Sequence, residues 1–167
     1  MPPYAEAAAA VEAARSVAVV GHVRADADAI GSVCATVGAL RQLGKQAVGL
    51  IGQSFPFADN LRTIPGAEEI LLSDSLPDVD LIITVDCGSL DRTGTLAAAI
   101  AERPGDTVVI DHHSSNPGYG HVDLIDAGAE STTTVLGRLF ELLDVTLDKP
   151  IAHALYAGLL TDTGSFR

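Results

Sequence analysis

Short apolar runs alternate along the chain with longer segments of helical period, and most of the apolar runs end on carboxylate or imidazole side chains. Ser16 to Val20, Gln46 to Ile51, Leu81 to Val85 and Thr107 to Ile110 are β-branched, apolar and too short for helices, so they read as buried strands. Between the first two, Ile30, Val33, Val37 and Leu40 recur at three- and four-residue spacing. That predicts a helix over Ala29 to Leu43, with Gly44 at its stop and Asp28 placed to cap its start. A strand, helix and strand in this order predict a right-handed crossover and a parallel pair. Further helices are predicted over Tyr4 to Arg15, from about Thr95 to Arg103, from the Ser131–Thr133 hydroxyls to about Leu143, and over Ile151 to Leu160 behind Pro150. Gly52 to Gly66, with Pro56 and Pro65, is less regular, and Val122 to Ile125 reads as a short edge strand. The expected fold is α/β: a doubly wound, mainly parallel sheet with helices on both faces.

Composition agrees with that pattern. Hydrophobic residues make up 47% of the 167 and aromatic residues only 4%, so one domain can bury a core of Val, Ile, Leu and Ala. The formal charge of −12, from 10 Lys plus Arg against 22 Asp plus Glu, repels long polyanions and argues against a partner in duplex nucleic acid. Small anions neutralised by divalent cations remain open as partners. Cys34 and Cys87 are too few for a disulfide framework or a thiolate metal site and read as small buried residues. No stretch approaches the roughly 20 apolar residues of a membrane span. Met1 to Arg15 lacks the basic start of a signal peptide, so a cytoplasmic setting and no membrane partner are expected. The polar stretch Thr161–Arg167 reads as a functional loop rather than a tail, and further protein is expected to follow it.

The candidate chemistry sits where apolar elements end. His22 with Asp26 and Asp28, then Asp86, then Asp111-His112-His113, then Asp162 occupy four such positions. In open parallel sheets the carboxyl ends of strands line one crevice, so clusters distant in sequence become neighbours. Any one of these Asp residues alone would read as a turn former or a helix cap. Together, Asp26, Asp28, Asp86 and Asp162 in one cleft repel one another unless cations intervene. With His22 and His112 the donor set is oxygen and nitrogen without thiolate, which suits manganese better than structural zinc. Six donors exceed what one ion needs with positions left for water. Two ions about 3.5–4 Å apart, bridged by Asp86, would use them all. Asp26 and Asp28, two residues apart in an extended loop, would serve one ion each.

These residues resemble a known family. Gly-His-Val-Arg-Ala-Asp-Ala-Asp-Ala-Ile-Gly-Ser at 21–32, Val-Asp-Cys-Gly at 85–88, Asp-His-His at 111–113 and Gly-Leu-Leu-Thr-Asp-Thr-Gly-Ser-Phe-Arg at 158–167 are similar, in order, to the four motifs of the DHH phosphoesterases. The nearest likeness is to the bacterial oligoribonuclease and pAp-phosphatase (NrnA-like) branch, related to RecJ exonuclease and the family II inorganic pyrophosphatases. The resemblance implies that His22, Asp26 and Asp86 hold one manganese and Asp28, Asp86, His112 and Asp162 the other, with magnesium or cobalt as substitutes. It implies a DHH catalytic domain over residues 1–167, without the family's Gly-rich second, substrate-binding domain. The family usually has Pro and Gly where this chain has Ala25 and Ala27, while the His-x-x-x-Asp-x-Asp spacing is kept.

The implied reaction is hydrolysis of short oligoribonucleotides or small nucleotides such as pAp, pApA or cyclic dinucleotides. A hydroxide bridging the two ions is expected to attack phosphorus. His113 is expected to face the phosphate and either donate a hydrogen bond to a phosphoryl oxygen or protonate the leaving alkoxide, with Asp111 orienting a histidine or the loop. Arg92 and Arg167 stand next to the second and fourth clusters, where a guanidinium pairs with phosphate as readily as it stays solvated. Ser131 stands where hydroxyls and helix amides meet an anion or simply cap the helix. His121 and His153 lack acids at ligand spacing and read as structural or surface residues. Two other readings stay open: an inorganic pyrophosphatase on the same metals, and a catalytically weak module binding metal and nucleotide. A homodimer is compatible with either. Motifs for nucleotide kinases, dinucleotide-dependent enzymes and serine hydrolases are missing.

Overall fold

The computed structural model describes residues 2–167. Its six strands are β1 (Ser16–Gly21), β2 (Gln46–Ile51), β3 (Leu71–Leu72), β4 (Leu81–Val85), β5 (Thr107–Asp111) and β6 (Val122–Ile125). All pair in parallel, in the order β3-β2-β1-β4-β5-β6. Five helices accompany them: α1 (Tyr4–Ala13), α2 (Ala27–Gln42), α3 (Ala97–Ala101), α4 (Thr132–Leu142) and α5 (Lys149–Asp162).

The period-two alternation of the strands divides the apolar residues between two cores. Val17, Val19, Ile83, Val85, Val108 and Ile110 pack with the buried residues of α1, α2 and α4. Ala18, Val20, Leu50 and Ile82 point the other way, onto Leu96 and Ile100 at α3. Helices therefore cover both faces, unequally. The chain leaves β1 through α2 toward one edge and leaves β4 through α3 toward the other. Right-handed crossovers running in opposite directions must pass over opposite faces, which opens a crevice between the ends of β1 and β4.

One helix lies outside this two-layer cover. α5 buries Ile151, Ala154 and Gly158 against α2 and α4 rather than against the sheet. Close approach depends on missing side chains: a Cβ at Gly31 of α2 would strike the Ala154 carbonyl, and one at Gly38 would lie 3.0 Å from Ile151. This packing brings the far end of α5, with Asp162, over the crevice.

Three elements differ from the sequence pattern. α2 begins at Ala27 rather than Ala29, and Asp26 rather than Asp28 caps it, its Oδ1 accepting the N–H groups of Asp28 at 3.0 Å and Ala29 at 3.1 Å. Asp26 and Asp28 are thus a cap and a first-turn residue rather than neighbours in an extended loop. The helix expected over Thr95–Arg103 is a 3₁₀ segment over Leu90–Leu96 followed by the short α3, because Gly94 sits at φ 66 and breaks the helical path. β3 is only two residues long, below what an apolar pattern can signal.

Replacing Gly31 with Ala gains helix propensity of about 1 kcal/mol but forces the α2–α5 contact apart, a penalty of about 1–3 kcal/mol or more against backbone. Chemical denaturation is expected to show net destabilisation of Gly31→Ala, whereas Gly137→Ala, on open space in α4, stays level or gains.

Candidate metal centre

The crevice at the ends of β1 and β4 collects the polar clusters. β1 runs into His22, which is buried, and its Nε2 lies 3.7 Å from Asp26 Oδ1 and 3.5 Å from Asp86 Oδ2. Asp86 directly follows β4 and takes φ 57, a left-handed conformation that a non-glycine residue adopts only at some cost. β5 ends on Asp111 and passes into His112, whose Nε2 lies 3.8 Å from Asp86 Oδ1, 4.0 Å from Asp28 Oδ2 and 3.2 Å from Asp162 Oδ2. Two donors, each about 2.1 Å from a shared ion, lie about 3–4 Å apart, so these spacings suit coordination. His22, Asp26 and Asp86 form one group able to hold a metal and Asp28, His112 and Asp162 another, with Asp86 between them.

Asp28 has no exposed surface, yet it is fully engaged. Its two oxygens accept the backbone N–H groups of Thr132 at 2.7 Å and Thr133 at 3.0 Å, the first turn of α4. Thr132 also donates its hydroxyl to Asp86 Oδ1 at 2.9 Å. A helix N-terminus thus stabilises the acids from behind.

The imidazoles are oriented for ligation. His22 Nδ1 meets the Val23 carbonyl at 2.8 Å and an Arg92 nitrogen at 3.1 Å. A nitrogen cannot donate to the first and accept from the second. A cation on Nε2 requires the proton on Nδ1 and hence the carbonyl bond. His113 is different, because its Nδ1 bonds Asp111 Oδ1 at 2.8 Å and only Nε2 is left free. Its Nδ1 also comes within 3.8 Å of Asp86 Oδ1, close enough to complete a third potential group of Asp86, His112 and His113. The Asp111 bond occupies the nitrogen that this group would need.

Charge without cations is balanced by protons. Burial opposes the His22 cation, but its bonds to Asp26 and Asp86 outweigh burial and push the imidazole up to about 10. The Asp162 bond, against burial and with help from Asp86 and Asp28, raises His112 to about 9. Burial and the charges of Asp86 and Asp162 raise Asp28 to about 7, against the pull of the Thr132 and Thr133 amides. Asp86 is also raised, chiefly by burial. Asp26 is also penalised by burial, yet His22 and the helix amides hold it down at about 2. A site that stores protons on carboxylate and imidazole donors is one that divalent cations would suit.

Not every candidate joins the crevice. Arg92 lines it, together with Ser89 and Ser115. Arg167 is exposed in the terminal segment and is not among the lining residues. Ser131 corrects the expectation of a substrate contact: it is fully buried, and its Oγ accepts the Thr134 N–H at 3.1 Å as the cap of α4. His121 and His153 are exposed, in keeping with a surface role. The sequence pattern did not single out Asn116, whose amide donates to Asp111 Oδ2 at 2.7 Å and to the Cys87 carbonyl at 3.1 Å. The turn signal Asn116-Pro117-Gly118 marked its loop without revealing this grip.

Comparison with known proteins returns the same assignment from several directions. The model of the DHH family, N-terminal domain, matches residues 16–159. A bifunctional oligoribonuclease and PAP phosphatase NrnA of Thermus thermophilus is 34% identical over 152 residues, covering 87% of this chain and 43% of that protein. A probable enzyme of the same name from Streptococcus mutans is 27% identical, covering 95% of this chain and 49% of its own length. The chain therefore spans about half the length of these relatives. The crystal structure of an exopolyphosphatase-related protein from Bacteroides fragilis superposes with a TM-score of 0.87 at 28% identity, covering 98% of this chain and 50% of that one. RecJ exonuclease bound to manganese shares the fold at a TM-score of 0.53 and 21% identity, over 96% of this chain and 42% of its own.

Metal-free, the folded protein holds protons that the unfolded chain releases. Asp28 keeps its proton from its ordinary 3.8 up to about 7, and His22 and His112 keep theirs from 6.5 up to about 10 and 9. Stability from these groups is thus lost as pH rises through that window. Thermal unfolding in chelator is expected to fall from pH 6 to pH 9, and added Mn2+ is expected to abolish the fall.

Proposed function

This chain belongs to the DHH family, and from that footing we propose that it is a two-metal phosphoesterase acting on short oligoribonucleotides or small nucleotides such as pAp, pApA or cyclic dinucleotides. The observation that carries the reading is the pair of donor groups meeting at Asp86 in one crevice. His22, Asp26 and Asp86 would hold one divalent cation, and Asp28, Asp86, His112 and Asp162 the second. Their oxygen and nitrogen donors suit manganese, with magnesium or cobalt as substitutes. Cations there would supply Lewis acidity toward the phosphoryl oxygens and a water acidified near neutral pH.

The chain's own residues do the rest. Asp111, fully buried, accepts a hydrogen bond from His113 Nδ1 and so orients the ring. Nε2 then bears the proton given to the departing alkoxide. Asn116 keeps Asp111 from turning by holding its second oxygen. Arg92, on the crevice wall and in no ion pair with a carboxylate among the described residues, would take a phosphoryl oxygen. The oligoribonuclease and PAP phosphatase of the Thermus relative support a nucleotide substrate. A second reading, hydrolysis of a phosphoanhydride such as pyrophosphate, draws on the exopolyphosphatase-related Bacteroides structure.

With Mn2+ present, mononucleotide or phosphate release from pApA and pAp is expected to exceed phosphate release from pyrophosphate, and the reverse order would favour the second reading. His113→Ala is expected to slow turnover about 10²–10⁴-fold with metal content unchanged, the scale of losing a general acid. Turnover left intact in that variant would remove His113 from the reaction. Asp86→Ala is expected to lower bound metal, measured by elemental analysis, at both positions together.

A further inference from the structure

A second cavity adjoins the metal crevice and has no part in the chemistry above. It lies at the ends of β1 and β2, has a volume of about 400 Å³, and shares Arg92 with the crevice. Its other walls include Val23, Arg24, Gln53, Phe55 and Gly94.

This cavity is built rather than left over. Gly52 and Gly94 meet backbone to backbone, since a Cβ on Gly94 would strike the Gly52 carbonyl and Val23, and one on Gly52 would strike the Thr93 carbonyl. Thr95 donates its N–H to the Gly52 carbonyl at 2.9 Å, and Val23 donates its own to the Arg92 carbonyl at 2.8 Å. Gln53 is nearly fully buried and uses both ends: its Oε1 accepts the Arg24 N–H at 2.7 Å, and its Nε2 donates to the Phe55 carbonyl at 2.7 Å. Arg24 sits at φ 55, held in that conformation by this bond. The loop ends are therefore tied together around the hollow.

Two features of the wall choose a ligand. Phe55 is 49% exposed, a large aromatic ring at the rim with nothing stacked on it among the described residues. Among the described residues, Arg24 and Arg92 stand on this wall without carboxylate partners, although the chain carries 22 acids and Arg41, Arg62, Arg103 and Arg138 each have one. Unpaired guanidiniums beside an exposed ring suit a phosphate next to a nucleobase, through bidentate pairing and stacking.

Resting on the phosphoesterase reading, we propose that this cavity is the subsite for the nucleotide unit next to the scissile phosphate. Phe55 stacks its base, Arg24 binds a phosphate beyond the scissile one, and Arg92 bridges the subsite to the crevice. The substrate class is thereby narrowed to nucleotides carrying at least two phosphate positions, in preference to inorganic pyrophosphate, which has no base for Phe55.

The test is calorimetric titration of the Mn2+-loaded chain with two unreactive ligands: a phosphorothioate analogue of 5′-phosphorylated diadenosine, and methylene bisphosphonate, which reaches only the metals. The ratio of dinucleotide to bisphosphonate affinity is expected to fall at least tenfold in Phe55→Ala and in Arg24→Gln, and Phe55→Tyr is expected to restore it. A ratio unmoved by both substitutions, or a native chain that binds the dinucleotide no better than the bisphosphonate, overturns the subsite while leaving the metal site standing. Failure of both ligands to bind a chain that holds Mn2+ overturns the phosphoesterase reading, and the subsite with it.

Discussion

The buried carboxylate of Asp28 is the interaction on which the rest of the structure turns. It belongs to the first turn of α2 but spends its oxygens on the N-terminus of α4, and Gly158 of α5 packs against it so closely that a Cβ there would collide with Oδ1 and Thr133. One side chain thus sets the relation of three helices. A carboxylate with no exposed surface is costly unless satisfied, and two backbone amides with the positive end of a helix dipole supply most of what water would have supplied. The rest must come from the crevice side, as a proton or a cation. The helical packing and the appetite for charge are therefore one property.

The sheet supplies the other half of the arrangement. Reversal of the strand order between β1 and β4 leaves their carboxyl ends uncovered side by side, with His22 following the one and Asp86 the other. β5 adds His112 and His113 from the next position, the start of α2 adds Asp26 and Asp28, and Asp162 arrives on the outer helix α5. Its position depends on glycines in α2 and α5 rather than on a strand. Within this cluster the histidines divide the work through their ring nitrogens. His22 and His112 aim Nε2 at acids that could share a cation, whereas His113 commits Nδ1 to Asp111 and keeps Nε2 for the substrate side.

In a chain with net charge −12, positive charge is scarce and its placement matters. Four arginines, Arg41, Arg62, Arg103 and Arg138, are paired with acids. Arg24 and Arg92 have no such pair among the described residues, and their loops are tied by the Arg24–Gln53 and Val23–Arg92 hydrogen bonds. The wall they share with Phe55 encloses a cavity of about 400 Å³ beside the crevice.

Much of this was legible in the chain itself. Four apolar runs located the central strands to within a residue or so, because a buried parallel strand must be apolar on both faces and short. The donors were legible too, since His22, Asp26, Asp28, Asp86, His112 and Asp162 stand where apolar elements stop, and their spacing is that of a known family. Local pattern failed where a choice depended on a distant partner. Which Asp caps α2 and where the segment before α3 breaks were settled by the Thr132 amide and the Gly52–Gly94 contact. The same holds for Asn116, whose bonds to Asp111 and Cys87 join two loops, and for the Arg24–Phe55 wall, assembled from segments about 30 residues apart. Sequence by itself determined which groups this protein possesses and at which strand ends they stand, because burial and period are properties of short segments. Tertiary structure alone decided which of them lie close enough to share a proton or a cation, because that is a matter of a few ångströms between residues that only packing brings together.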